Sequence, residues 1–228
     1  MKLALLVLSI LSLAAPSFAQ SERGYIEGIG GFAVSAASTS PRVTSGDWAF
    51  GAGARIAPGL LAFGDAGRIN DLTPSTSESA VTTTVTTLSS TDAVDVVGTT
   101  RMPARYALGG LRWQPRTARR VEPFVLGGVG VAHLTPSARF TFTDGTLPGT
   151  DPSATPPNTG DDVTTQLSTL GVFTSPAPSN ALMLTAGGGA QFDLASHWAV
   201  DTEYRVSRIS ASTPLHAQGL AFGVGYRF

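Results

Sequence analysis

No cysteine occurs anywhere in the chain, so disulfides and thiolate metal sites are excluded. Charge is sparse: Asp, Glu, Lys and Arg make up 14% of the residues, where soluble domains carry ~25%. The 15 Lys and Arg nearly balance the 16 Asp and Glu. That leaves no basic excess to neutralise phosphates, and a nucleic-acid partner is not expected. Beyond the N-terminal region no stretch reaches the ~18 uninterrupted apolar residues of a membrane helix. Histidines stand only at 133, 197 and 216, far apart in sequence. What the chain does have is abundant glycine, 26 residues, frequent Ser and Thr, and hydrophobicity spread over alternate positions. That combination predicts strands that are greasy on one face and sit in lipid.

Residues 1–19 have the make-up of a secretory signal peptide. Met1-Lys2 is a short positive start, Leu3 to Ala15 is apolar, and Ser17-Phe18-Ala19 puts small residues at the −3 and −1 positions of a cleavage site. The apolar run is shorter than the ~20 residues a spanning helix needs. No cysteine follows it, so a lipoprotein anchor is not expected. Residues 20–228 are expected to form one β domain in an exported compartment.

The final segment carries the clearest pattern. Leu220, Phe222, Val224, Tyr226 and Phe228 share one face of a strand, and Ala221, Gly223, Gly225 and Arg227 share the other. Seven further strand candidates precede it, at about 24–36, 46–57, 60–70, 104–114, 123–135, 181–194 and 197–209. Each is about the length of a tilted membrane crossing, ~9–11 residues or somewhat more. In the first, Ile26, Phe32 and Val34 oppose Tyr25 and Glu27. In the second, Trp48, Phe50, Ala52, Ala54 and Ile56 oppose Asp47, Gly51, Gly53 and Arg55. In the third, Asp65 and Arg68 fall on opposite faces unless Gly67 sits at a bulge, and the fourth is equally open in phase.

Short and long connections alternate. Pro58-Gly59, Pro115 to Glu122 and Ala195-Ser196 are short, whereas 37–45, 71–103, 136–180 and 210–217 are longer. Outer-membrane barrels place short turns in the periplasm and longer loops outside. An even strand number with this alternation predicts an all-β, eight-stranded antiparallel up-and-down transmembrane barrel with both termini periplasmic. Trp48, Trp113, Trp198, Tyr226 and Phe228 lie at strand ends, as interfacial aromatics do. In the loops, Val81 to Leu88 has strand propensity, and Arg139 to Thr143 continues the alternation of the fifth strand, so each loop is expected to project a hairpin or to be plain coil. Pro148 to Asp162 is proline-rich and is expected to be mobile.

Pro123-Phe-Val-Leu-Gly-Gly-Val-Gly-Val131, Tyr106-Ala-Leu-Gly-Gly-Leu-Arg-Trp113, Val200-Asp-Thr-Glu-Tyr-Arg-Val206 and the terminal Gly225-Tyr-Arg-Phe228 resemble strands of the outer membrane protein A-like eight-stranded barrels. The resemblance covers nearly the whole chain after residue 19. It implies an outer-membrane location, and partners in outer-membrane lipid, lipopolysaccharide and the barrel assembly machinery. It also implies that Tyr226 and Phe228 form the assembly signal. The namesake carries a peptidoglycan-binding domain after its barrel; this sequence stops at the eighth strand, and no cell-wall tether is expected. Some such barrels act on lipid A, but the deacylase pattern needs a His and a Ser two apart on a strand with an acid nearby. Neither His133-Leu-Thr135 nor Ser196-His197 with Glu203 fits it.

Inward candidates from the alternation are Glu27, Arg55, Asp193, Asp201, Glu203, Arg205 and Arg227. Charges in a low-dielectric wall must pair, so these residues are expected to form a polar network plugging the lumen, with Arg227 reaching the Asp201, Glu203 and Arg205 face. Asp161-Asp162 is expected to be a pair of solvated loop charges rather than a calcium site. The function expected is structural or interactive, through long loops that contact a surface ligand, in a monomer without catalysis, cofactor or metal. One alternative is a narrow, gated ion or small-solute channel. Another is a soluble exported lipocalin-like barrel that binds a lipophile, in which the two faces are exchanged.

Overall fold

The computed structural model describes residues 24–36, 43–92, 94–115, 120–147, 156–174 and 176–228. The expected signal peptide lies outside the described residues. Eight strands close into an antiparallel barrel: β1 (Gly24–Ala36), β2 (Val43–Ala57), β3 (Leu60–Ile69), β5 (Ala104–Trp113), β6 (Val121–Leu134), β8 (Ser179–Asp193), β9 (Trp198–Ser210) and β10 (Leu215–Arg227). Each pairs with its neighbours along the chain, and β1 pairs with β10 in the register Tyr25↔Arg227 to Ala36↔His216. Reciprocal backbone bonds between Gly24 and Phe228, at 3.1 and 3.0 Å, close the seam at the termini. No edge is left unpaired in the barrel, as a backbone in lipid requires.

All eight expected strands are present, with ends shifted by a few residues. β2 starts at Val43 and β10 at Leu215, so the connection between β9 and β10 is only 211–214. The phase of β3 is resolved without a bulge at Gly67. Asp65 points in and Arg68 points out, and the register shift falls instead between Arg55 and Ala57 on β2. In β5, Tyr106, Leu108 and Arg112 face in, while Arg105, Leu111 and Trp113 face out.

Polarity decides the environment of the two faces. Phe50, Leu111, Val125, Val129, Phe222 and Val224 are exposed, whereas Glu27, Asp65, Arg112, Asp201 and Glu203 are buried. A lipophile-binding barrel has the reverse arrangement, so the lipocalin-like alternative does not fit. Trp113, Trp198, Tyr226 and Phe228 ring the turn end of the wall, and Trp48 stands at the loop end, all exposed. From Arg105 to Trp113 the wall runs about 27 Å along the strand at ~3.4 Å per residue, or roughly 20 Å in height at a ~40° tilt, near the ≈25 Å apolar band of outer-membrane barrels.

The described residues of the two longest connections fold. β4 (Val94–Arg101) pairs antiparallel with β7 (Ser137–Gly145) to make a separate two-stranded sheet. The two loops therefore share one sheet instead of each forming its own hairpin. Residues 81–87, expected to favour a strand, belong to α1 (Ser75–Thr87), which continues through a π-helical turn to Asp92. Tertiary packing overrides β-propensity here: Val81, Val85 and Leu88 recur at helical spacing and pack on Phe140 and Phe142 of the sheet. A short helix, α2 (Thr164–Thr169), adds Leu167 to that core. Of the proline-rich segment expected to be mobile, 148–155 lies outside the described residues. Residues 160–163 bond along β7, with Phe142 N–H donating to the Asp161 carbonyl at 2.9 Å and Val163 N–H to the Phe140 carbonyl at 2.9 Å.

Candidate functional site

The barrel interior is layered. At the loop end Ile69, Ala104, Leu134, Met183, Ile209 and Leu215 meet in an apolar layer, with Leu72 and Met102 dipping in from the connection above. The Asp71 carboxylate fixes that entry by accepting the backbone N–H of Thr73 and of Met102, each at 3.0 Å. Below lies a charged layer. Near the turn end Gln114 donates to Glu122 at 2.7 Å and to Gln191 at 2.6 Å, and Arg227 pairs with Asp193 at 2.7 Å.

Two guanidiniums organise the middle. Arg205 Nη1 lies 2.8 Å from Asp65 Oδ2, and its Nε donates to Glu203. Arg112 Nη1 lies 3.4 Å from Asp201 Oδ2 and 3.9 Å from Glu27 Oε2. The Arg112 guanidinium stacks 3.6 Å from the Phe124 ring centroid and 5.5 Å from that of Tyr25. A planar, delocalised cation suits this site because it sheds water readily and takes both ring faces and carboxylates as partners. Glycine makes the room. A Cβ at Gly53 would collide with the Tyr25 ring, and one at Gly223 with the Asp201 carboxylate.

Of the inward candidates, Glu27 and Asp201 meet at Arg112, and Glu203 and Arg205 meet beside Asp65. Arg227 does not join them; it pairs with Asp193 instead, because β10 places it at the turn end, below the charged layer. Arg55 lines a small space beside Tyr25, Gln114 and Arg227. The alternation puts Tyr25 on the face of Glu27 and Asp47 on the face of Arg55 without singling them out, and it gives no sign of Arg112, the centre of the network, or of Asp65 and Tyr106. Arg112 and Asp65 sit on the two strands whose phase was open. A space of about 30 Å³ beside Asp47, Tyr106 and Arg205 has room for about one water.

The cap above the barrel has a core of its own: Val81, Leu88, Val94, Val96, Phe140, Phe142, Leu147, Val163, Leu167 and Phe173. Phe140 and Phe173 meet edge to face at 4.9 Å. Asp162 Oδ1 accepts the N–H and the hydroxyl of Thr164, and Asp162 Oδ2 pairs with Arg139 at 2.9 Å. The Thr164 bonds hold its carboxyl below the ordinary carboxylate value, with the Arg139 charge adding to the effect. Asp161 turns away and accepts from the Asn158 N–H at 2.7 Å, so the two adjacent acids do not converge on one point. Among the described residues no cluster of His, Asp and Glu could hold a metal.

The remaining sequence candidates stay apart. His133 Nδ1 lies 2.8 Å from Asn180 Oδ1. His197 stacks on Tyr226 at the turn end and meets the Ser196 hydroxyl at 3.1 Å. Glu203 lies inside the wall, bound to Arg205, so it does not join Ser196 and His197.

Solved structures share the architecture at low identity. Neisserial surface protein A matches with a TM-score of 0.55 at 15% identity, over 90% of this chain and 97% of that one. A major outer membrane protein from Thermus thermophilus gives a TM-score of 0.53 at 16% identity, over 92% of this chain and 100% of the other. Ail, the attachment invasion locus protein of Yersinia pestis, gives 0.50 at 13% identity, over 92% and 100%. No curated protein sequence matches the chain. The family model described as outer membrane protein beta-barrel domain matches residues 3–228. With its closed eight-stranded wall, apolar outside and charged within, the chain belongs to the outer membrane protein beta-barrel domain family.

Proposed function

We propose that this outer-membrane barrel is a rigid mount that displays the cap at the cell surface, and that the cap binds a surface partner without catalysing a reaction. The cap's separate hydrophobic core carries the proposal. Loops that only connect strands do not bury Phe140, Leu88, Leu167 and Val94 out of contact with solvent. Ordering such segments loses conformational entropy, and ordered surface loops on a rigid scaffold are where binding residues collect. In this reading the long connections face outside and both termini face the periplasm, with Tyr226 and Phe228 available to the assembly machinery. In this reading the barrel works as a monomer, a choice that its closed wall favours by leaving no strand edge for a second barrel to pair with.

The test compares bacteria displaying the full chain with bacteria displaying a variant in which 75–100 and 138–174 are replaced by short Gly-Ser turns. Both barrels must show the same heat-modifiable gel migration. Attachment to cells and to extracellular polymer is expected from the full chain and not from the variant. Equal attachment would remove the cap from the function. Protease cleavage of the cap in intact cells reports the orientation separately.

A further inference from the structure

The charged layer of the lumen is out of balance. Glu27 of β1, Asp47 of β2, Asp65 of β3, and Asp201 and Glu203 of β9 point into it, against two cations, Arg112 of β5 and Arg205 of β9. Tyr25 and Tyr106 are the other titratable groups there. β6, β8 and β10 bring no charge to this height; their inward ionisable groups, Glu122, Asp193 and Arg227, lie at the turn end with Arg55. An unpaired charge in such an interior is neutralised rather than tolerated. Five carboxylates facing two guanidiniums, closed above by the apolar layer, therefore take up protons.

Geometry shows where. The guanidiniums take the far oxygens of two of these acids: Arg205 Nη1 lies 2.8 Å from Asp65 Oδ2, and Arg112 Nη1 lies 3.9 Å from Glu27 Oε2. The near oxygens converge over Gly51 of β2. A Cβ there would stand 2.8 Å from Asp65 Oδ1 and 2.9 Å from Glu27 Oε1, so glycine keeps clear the space in which the two acids meet. Asp65 Oδ1 is shielded from solvent and has no hydrogen-bond donor among the described residues. A buried acceptor without a donor is costly, and two ionised carboxylates sharing one site repel. A single proton removes both faults, because a protonated carboxyl is itself a donor.

We propose that Glu27 and Asp65 share one proton across the Gly51 notch at neutral pH, and that the barrel takes up this proton as it folds. An unfolded carboxyl has given its proton up above about pH 5. Folding at neutral pH then binds a proton that the unfolded chain does not hold. The stability contributed by the pair is greatest in acid and declines as pH rises. The lumen is thus an acid lock on the folded wall.

The test uses the full chain, folded in detergent. Infrared spectra of the wild type at neutral pH are expected to contain the carbonyl stretch of a protonated carboxyl. E27Q and D65N each place an amide in the notch, whose NH2 donates to the remaining carboxylate. Both variants should therefore fold, as heat-modifiable migration will show, and both should lose that stretch. Urea titrations at a series of pH values read the linkage. Relative to either variant, the folding equilibrium constant of the wild type should fall about tenfold per pH unit above neutrality until the shared proton leaves. The histidines and the cap are common to all three proteins and cancel in the comparison. The wild-type spectrum stands even where one variant fails to fold. A wild type without the stretch would overturn the proposal, as would a stretch that survives in folded E27Q or D65N, or pH curves that run parallel.

Discussion

A guanidinium in the middle of a barrel wall, between Asp201, Glu27 and the Phe124 ring, has no water to fall back on. Arg112 is 2% exposed, and its removal leaves two buried carboxylates without their shared cation. Breaking a buried pair from one side costs about 3–5 kcal/mol. Arg112→Ala is expected to lower the stability of the refolded barrel by that amount in urea titration. Arg112→Lys should recover only part of it, because an ammonium restores charge without the flat contact to Phe124. Asp162 presents the opposite case, an exposed carboxyl steadied by Thr164 and Arg139. Its folded-state value lies below the ordinary one, so its stabilising effect on the cap is present at neutral pH and is lost as pH falls through that lowered value. The protection factor of the Thr164 amide, its exchange rate relative to the intrinsic rate at the same pH, should fall on acidification in the wild type, and Asp162→Asn should flatten that response.

The cap and the barrel are elements with separate cores, and they should fail separately. Phe140→Ala empties a fully buried site against Phe173, a change that costs about 3–5 kcal/mol in a packed core. Limited proteolysis should then cut within 75–100 or 156–174, while the heat-modifiable migration of the barrel stays unchanged; loss of both together would show one cooperative unit. The same contrast explains what could be read from the sequence. Each barrel strand alternates apolar and small or charged residues, and lipid enforces that period along the whole wall, so Leu220 to Phe228 declares its faces unaided. Where glycine and alanine fill both faces, as around Gly64 to Gly67 and Gly109-Gly110, the alternation goes silent. Asp65 and Arg112 were hidden for that reason, and Arg112 then proved central. The cap was less legible still. Val81, Val85 and Leu88 read equally as a Thr-rich strand, and only the sheet formed by β4 with β7, from loops far apart in sequence, gives a helix something to pack on. Pairing between two loops leaves no local trace.

At the scale of the whole molecule the question is whether the barrel conducts. Eight strands enclose a lumen about wide enough for its own side chains, and here two unlike layers fill it in series. The charged layer could in principle exchange partners, since Arg205 and Arg112 each face two carboxylates. The apolar layer has no such freedom. Ile209, Leu134, Met183 and Leu215 are each at most 3% exposed, and no rearrangement of ion pairs removes them. The wild-type chain is therefore expected to give no stepwise currents in planar bilayers, and so is Glu203→Ala or Arg205→Ala alone. Steps should arise only when both layers are cut, as in Met183→Ala/Ile209→Ala combined with Arg205→Ala. Inward carboxylates at Glu27, Asp47, Asp65, Glu122, Asp193, Asp201 and Glu203 outnumber the inward arginines at 55, 112, 205 and 227, and removing Arg205 widens the excess. The opened variant should thus prefer cations, seen as a shifted reversal potential in a salt gradient. Currents in the unmodified barrel, or an anion-selective opened variant, would show that the layers are not arranged in this way.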